Sequence, residues 1–252
     1  MQALAPHDVF VGVFRSEQKI SEKELASLRE IPIHVVDMAA HQSIVREGDR
    51  PHRSFVVLDG LACTSKLSAS GSRQIMAVHV PGDLPDVQSL HLAIMDCSLS
   101  SISPCRIGFI EHKVLRKICE GSPAMAAALW RHTLIEAAIF REWVLNVGRR
   151  TATSRMAHFF CELVLRLQAA GRCRELTCNV PLSQATLGDI LGLSVVHVNR
   201  TLMELREAKL ISWKNGLLEV LDWPGLVEAG DFDPAYLHLS SAGTHGVSSA
   251  AC

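Results

Sequence analysis

Residues 181–213 read PLSQATLGDILGLSVVHVNRTLMELREAKLISW, and that order of signals admits few folds. Ser183 can offer its hydroxyl to a free backbone N–H at the start of a helix, and Leu187, Ile190 and Leu191 then recur at helical spacing. Gly192 supplies the positive φ that ends a helix cheaply, and Ser194 is a fresh cap for a second helix. There Val195, Val198, Leu202 and Leu205 share one face, while Val196, His197, Asn199, Arg200 and Met203 spread over the others. Residues 209–220 then read as two strands around Asn215-Gly216, the strongest short hairpin signal. The stretch predicts a helix-turn-helix closed by a hairpin, which is a winged helix.

In such a motif the second helix packs through one stripe and turns its N-terminal half toward base edges in the major groove. Arg200 suits guanine or a phosphate, His197 and Asn199 add shorter donors and acceptors, and Ser194 and Val196 lie on the leading turn. Ser183 and Gln184, opening the first helix, complete the candidate DNA contacts. A plain helical hairpin with a solvated polar face shows the same periodicity, and the wing argues against it. The formal net charge of -1 lends no support to nucleic-acid binding, so a local face must carry it.

Upstream the texture changes. Residues 1–20 show no clear period and read as a lead-in; Ser21 then caps a short helix to about Glu30, with Leu25 and Leu28 inward. From Ile31 to about Ile110 short β-branched runs alternate with turns at Gly48, Gly60, Gly71 and Gly82, which predicts an antiparallel roll or barrel. A short helix follows, then a break at Gly121-Ser122-Pro123, then a long helix to about Val147. Its rows Met125, Ala128, His132, Ile135, Ile139, Glu142 and Ala127, Trp130, Leu134, Ala138 make it apolar on more than one stripe. Two partners are therefore needed: the roll on one side and, on the other, a second copy of the helix in a homodimer, with burial inside the monomer as the alternative.

Residues 146–150 read as a hinge, 151–170 as a helix with Met156, Phe159, Phe160, Leu163 and Leu167 on its core side, and 172–180 as extended chain. The expected class is α+β: a β-roll over 21–122, a dimerisation helix over 123–147, a winged helix-turn-helix domain over 148–237 and a disordered Ser-, Ala- and Gly-rich tail over 238–252. No apolar run approaches the roughly 18 residues of a membrane span. Eight cysteines without a Cys-x-x-Cys pair or a secretion signal read mostly as reduced thiols of a cytoplasmic protein. Cys173 and Cys178 lack the further ligands that zinc needs.

A roll with periodic turn glycines, a long helix, a hinge and a winged helix containing LSQATLGDILGLSVVHVNRTLMELREAKLIS resemble the CRP/FNR family of bacterial transcription regulators over about residues 20–237. The most specific part is Ser194-Val195-Val196-His197-Val198-Asn199-Arg200; the roll matches mainly in glycine placement and in Pro81-Gly82-Asp83. The resemblance implies a homodimer on a two-fold symmetric operator in double-stranded DNA, in contact with RNA polymerase. Many relatives carry a glutamate where this chain has Val196.

The roll departs from the family in its ligand residues. Cyclic-nucleotide-binding members carry a Gly-Glu pair and a downstream arginine beside a small hydroxyl residue, because a cyclic phosphate needs a cation and fixed donors. Here those places read Gly82-Asp83-Leu84-Pro85-Asp86 and Met95-Asp96-Cys97-Ser98; the arginine is missing, Asp96 would repel the phosphate, and cyclic AMP is disfavoured. Iron–sulfur members carry an N-terminal cysteine group, and the first cysteine here is Cys63, so that cluster is disfavoured too. A haem on His79 or His91 stays open, although a lone histidine is more often structural and no attachment motif exists. No cofactor is predicted. The leading expectation is a sequence-specific transcription regulator, with a small-molecule or redox sensor centred on the roll as the alternative. No phosphate loop, nucleophile elbow or metal triad points to an enzyme.

Overall fold

The computed structural model describes residues 5–15 and 20–239, so most of the expected tail lies outside the described residues. Two compact units divide the chain, one of residues up to 71 with 76–137, the other of 72–75 with 138 onward. Among the described residues no helix is long and apolar enough to cross a membrane.

The first unit opens with α1 (Pro6–Arg15) and α2 (Glu22–Leu28), where a lead-in was expected before the second helix. Val9, Phe10, Val11 and Phe14 of α1 are all buried, with the two phenylalanine rings edge-on at 5.2 Å. Asp8 and Gly12 are exposed on the opposite side, so the helix is amphipathic where the sequence was read as patternless. Ser21 caps α2 in a reciprocal box with Glu24, as its position predicts.

Seven strands follow: β1 (His34–Met38), β2 (Ser43–Val45), β3 (Arg53–Asp59), β4 (Ala62–Leu67), β5 (Arg73–His79), β6 (Ser98–Ser101) and β7 (Cys105–Glu111). They form an antiparallel sheet β1-β7-β3 and another β2-β6-β4-β5. The turn glycines 48, 60, 71 and 82 all have positive φ. Along β3 alternate side chains go to opposite faces, as the two-residue pleat requires. Phe55 and Val57 join Leu99, Ile107 and Phe109 inside the roll. Val56 and Leu58 pack outward with Phe10, Leu28, Met125 and Leu129. Next come α3 (His112–Gly121) and α4 (Pro123–Arg149).

The second unit holds the C-terminal part of α4, α5 (Ala152–Ala169), β8 (Cys173–Arg174), β9 (Thr177–Asn179), α6 (Gln184–Leu191), α7 (Val195–Glu207), β10 (Ile211–Lys214), β11 (Leu217–Val220) and α8 (Trp223–Gly230). The expected hinge over 146–150 is mostly helical, and only Arg150 and Thr151 interrupt it. The segment 172–180 is a hairpin rather than a single extended run, turning at Glu175 with a φ of 50°. Its register sets Cys173 opposite Cys178, Cα atoms 4.5 Å apart, and the two form a disulfide. That corrects the expectation of two separate thiols, whose pairing depends on a turn with no sequence signal. In the core of α5, Glu162 is 1% exposed and accepts from Trp143 Nε1 at 2.9 Å, Tyr236 Oη at 2.8 Å and Arg166 Nη1 at 3.2 Å. Burial raises its carboxyl above the usual range despite these donors.

Candidate nucleic-acid interface

Helix α6 begins where Ser183 accepts from the Thr186 amide at 3.0 Å and ends at Gly192, whose φ of 64° is left-handed. A Cβ on Gly188 would stand 2.6 Å from the Leu193 carbonyl oxygen, so that residue must be small for the chain to turn so tightly. Ser194 then caps α7 by accepting from the His197 amide at 3.3 Å. Both expected caps and the expected stop are therefore in place.

The buried face of α7 consists of Val198, Thr201, Leu202 and Leu205. Val195, expected on that stripe, is 46% exposed, and Thr201 takes the fourth buried place. The rotation brings Ser194, Val195, Val196, Asn199 and Arg200 out together, with Val196 81% exposed and His197 half-buried at their edge. Ser183 is exposed and Gln184 half-buried at the start of α6, one helix away. Arg200 Nε lies 3.9 Å from Glu204 Oε1, and Thr153 Oγ1 donates to Glu204 Oε2 at 2.5 Å. Asn199 Nδ2 donates to the carbonyl of Val195 at 3.3 Å. An exposed pair or a bond of this kind is worth little in water and yields readily to a better partner. Sequence reasoning missed Thr153 and Glu204, because their meeting depends on how α5 packs on α7.

The wing is the hairpin β10 to β11, turning through Asn215 (φ 51°) and Gly216 (φ 79°), both in the left-handed region its turn type demands. The sheet runs β10-β11-β9-β8. Lys209, read as the start of a strand, instead has a φ of 57° and precedes it.

The roll's ligand-loop residues do not suit a cyclic phosphate. Residues 80–99 contain no arginine or lysine. Asp83 Oδ2 accepts from the Val80 amide at 2.8 Å, closing the loop on itself. Asp86 is fully buried; its Oδ1 accepts from the Phe55 amide at 3.0 Å, while Oδ2 has no hydrogen-bond partner. Burial drives its carboxyl up to about 7. Asp96, expected to oppose a phosphate, is exposed, and Asp86 is the acid inside. A buried carboxylate without a cation does not fit a phosphodiester. Of the two candidate haem ligands, His91 is exposed, and His79 is buried with Nε2 on Thr64 Oγ1 at 2.7 Å.

Known proteins match in the same order. Residues 35–122 match the cyclic nucleotide-binding domain and residues 154–229 the Crp-like helix-turn-helix domain. The nitrogen fixation regulation protein FixK of Azorhizobium caulinodans is 30% identical over 158 residues, 63% of either chain. The transcriptional activator protein FnrL of Cereibacter sphaeroides is 26% identical, covering 84% of this chain and 87% of its own. The structure of FixK2 from Bradyrhizobium japonicum superposes with a TM-score of 0.71 at 22% identity, over 79% of this chain and 98% of that one, which shows the shared fold. With the roll, the long helix and the winged helix-turn-helix matched in sequence and in fold, the chain belongs to the CRP/FNR family of DNA-binding transcription regulators, which are not enzymes.

Proposed function

We propose that this regulator works as a homodimer, joined along α4, that reads a two-fold symmetric operator through the exposed face of α7. The observation that carries the reading is a seam on α4. Ala127, Trp130, Leu134, Ala137, Arg141, Val144 and Gly148 follow one another at steps alternating between three and four, the heptad spacing of a helix that pairs with another. Trp130 is 69% exposed, Leu134 54% and Val144 63%. Three large apolar side chains along one line of a single chain call for a cover, and a second α4 supplies one of matching shape and period. The other expected row, with Met125, Ala128 and Ile139, is turned into its own chain, as is Ala138, which was expected on the outer row.

Two recognition helices in one dimer meet successive major grooves about 34 Å apart. On each half-site Arg200 is the principal reader, by its planar fork, with Val196, His197, Asn199 and Ser194 around it and Ser183 and Gln184 toward the backbone. Contact with RNA polymerase is part of the same proposal, supported by relatives described as transcriptional activators. Sedimentation with and without a duplex tests the assembly: two chains per duplex are expected. A strict monomer at micromolar concentration in both conditions would refute it.

A further inference from the structure

The last four carbonyls of a helix find no partner within it. In the second unit one side chain takes up such groups from two helices at once. Arg155, in the first turn of α5, donates from Nε to the Asn146 carbonyl at 3.1 Å. Its Nη2 donates to the carbonyls of Val147 at 2.7 Å and Arg150 at 3.2 Å, and its Nη1 to that of Leu191 at 2.5 Å. Asn146 and Val147 lie in the final turn of α4, Arg150 follows it, and Leu191 is the last residue of α6. The Asn146 side chain returns a bond, Nδ2 donating to the Arg155 carbonyl at 3.3 Å. The guanidinium thus lies between the negative ends of two helix dipoles, where a cation is favoured. Among the described residues it has no carboxylate partner, so neutralising an acid is not its task.

The two helices it joins are the two that matter for DNA. Helix α4 carries the exposed seam, and α6 leads through a three-residue turn into α7. That turn is tight: the Leu193 amide donates to the Gly188 carbonyl at 3.0 Å, and Gly188 admits no side chain beneath it. The position of α6 on α4 therefore sets the position of α7 relative to the dimer axis.

The geometry points to Arg155 as the residue that fixes the spacing between half-sites the dimer accepts. It is a positioning residue for operator selectivity, acting through α4 and α6 without touching DNA. The inference rests on the dimeric operator reading above. Lysine keeps the charge but offers its donors from a single point, and it cannot span four carbonyls set around a planar fork. With lysine there, α6 gains slack on α4 while α7 keeps its own fold and its own exposed face.

The test uses the full chain as wild type, Arg155→Lys and Arg155→Gln, each checked for a cooperative thermal transition by circular dichroism. Duplexes carry two copies of the half-site obtained by selection from random DNA, at the selected spacing and at one base pair more or less, a change that turns one half-site by about 35°. Wild type should prefer its own spacing by about tenfold or more, in line with the usual cost of one wrong base pair. Arg155→Lys should bring the three spacings within about threefold of each other, with base preferences inside the half-site unchanged. Arg155→Gln, which keeps one amide donor group, carries the same comparison if the lysine variant does not fold. Wild-type spacing discrimination in a folded variant would overturn the inference, as would loss of base preference in step with spacing, the mark of general disruption. Failure of the wild type to select any two-fold site would instead sink the dimeric reading itself.

Discussion

Asp86→Asn should remove one source of the pH dependence of the roll's stability. Asp86 is fully buried, and one carboxylate oxygen has no hydrogen-bond partner while the other accepts from Phe55. Burial lifts its proton affinity to about 7, against about 3.9 for a free aspartate. A group whose folded value is raised binds more protons in the native than in the unfolded state between those limits, so stability falls as pH climbs through that window and is level above it. At 1.36 kcal/mol per decade of proton affinity the full interval is worth ~4 kcal/mol, of which the stretch from pH 5 to pH 8 samples ~3 kcal/mol. Asparagine keeps an oxygen for the Phe55 amide, does not titrate, and exposes its NH2 to a site with no acceptor at a cost of ~1–3 kcal/mol. Urea unfolding followed by circular dichroism should find the variant less stable at pH 5 and equal or more stable at pH 8. The lowered proton affinity of His112, caused mainly by burial, is common to both proteins and cancels in the difference. A wild-type-minus-variant difference that stays constant from pH 5 to pH 8 would refute the reasoning.

Leu134→Glu places like charges across the α4 seam and removes two buried leucines per dimer, a loss of ~3–6 kcal/mol, and should leave monomers at concentrations where wild type sediments as a dimer. Arg200→Ala should weaken specific binding by about 1–3 kcal/mol if the guanidinium reads a base, and mainly lower the salt slope if it holds a phosphate; unchanged affinity and selectivity would remove α7 from the role of reader. Val196→Glu gives the 81% exposed position a carboxylate that can accept from a cytosine amino group, and selections on the two proteins should differ there by up to about 1–3 kcal/mol. Calorimetry should detect no cyclic AMP binding, since a phosphodiester beside Asp86 without a cation costs several kcal/mol; micromolar affinity would contradict the placement of that acid.

The helix-turn-helix was legible because its signals are local. Ser183, Gly192 and Ser194 act through their own backbone or residues three away, and Asn215-Gly216 sets its turn alone. The two rows on α4 were plain too, apart from Ala138, which was expected on the outer row and is buried, since period reports faces. Where meaning depended on distant packing, the reading ran out. Residues 146–150 read as a hinge, yet the helix continues to Arg149, with two of its last carbonyls taken up by Arg155. Thr201, which the expected apolar stripe leaves out, is 1% exposed and takes the place expected for Val195, which is 46% exposed. Asp86 and Asp96 could not be ranked by burial from their types, and the cysteine pair needed the register of a hairpin that turns on Glu175.

Under the proposed function, two copies of α7, held apart by paired α4 helices, read a symmetric site. Selection of bound sequences by this chain from a random DNA pool is the decisive measurement. The selected sites should be an inverted repeat with half-site centres one helical turn apart, about 10 base pairs, with thymine or weak discrimination at the base pair nearest Val196. Enrichment of a single unpaired half-site, or of no sequence at all, would contradict it.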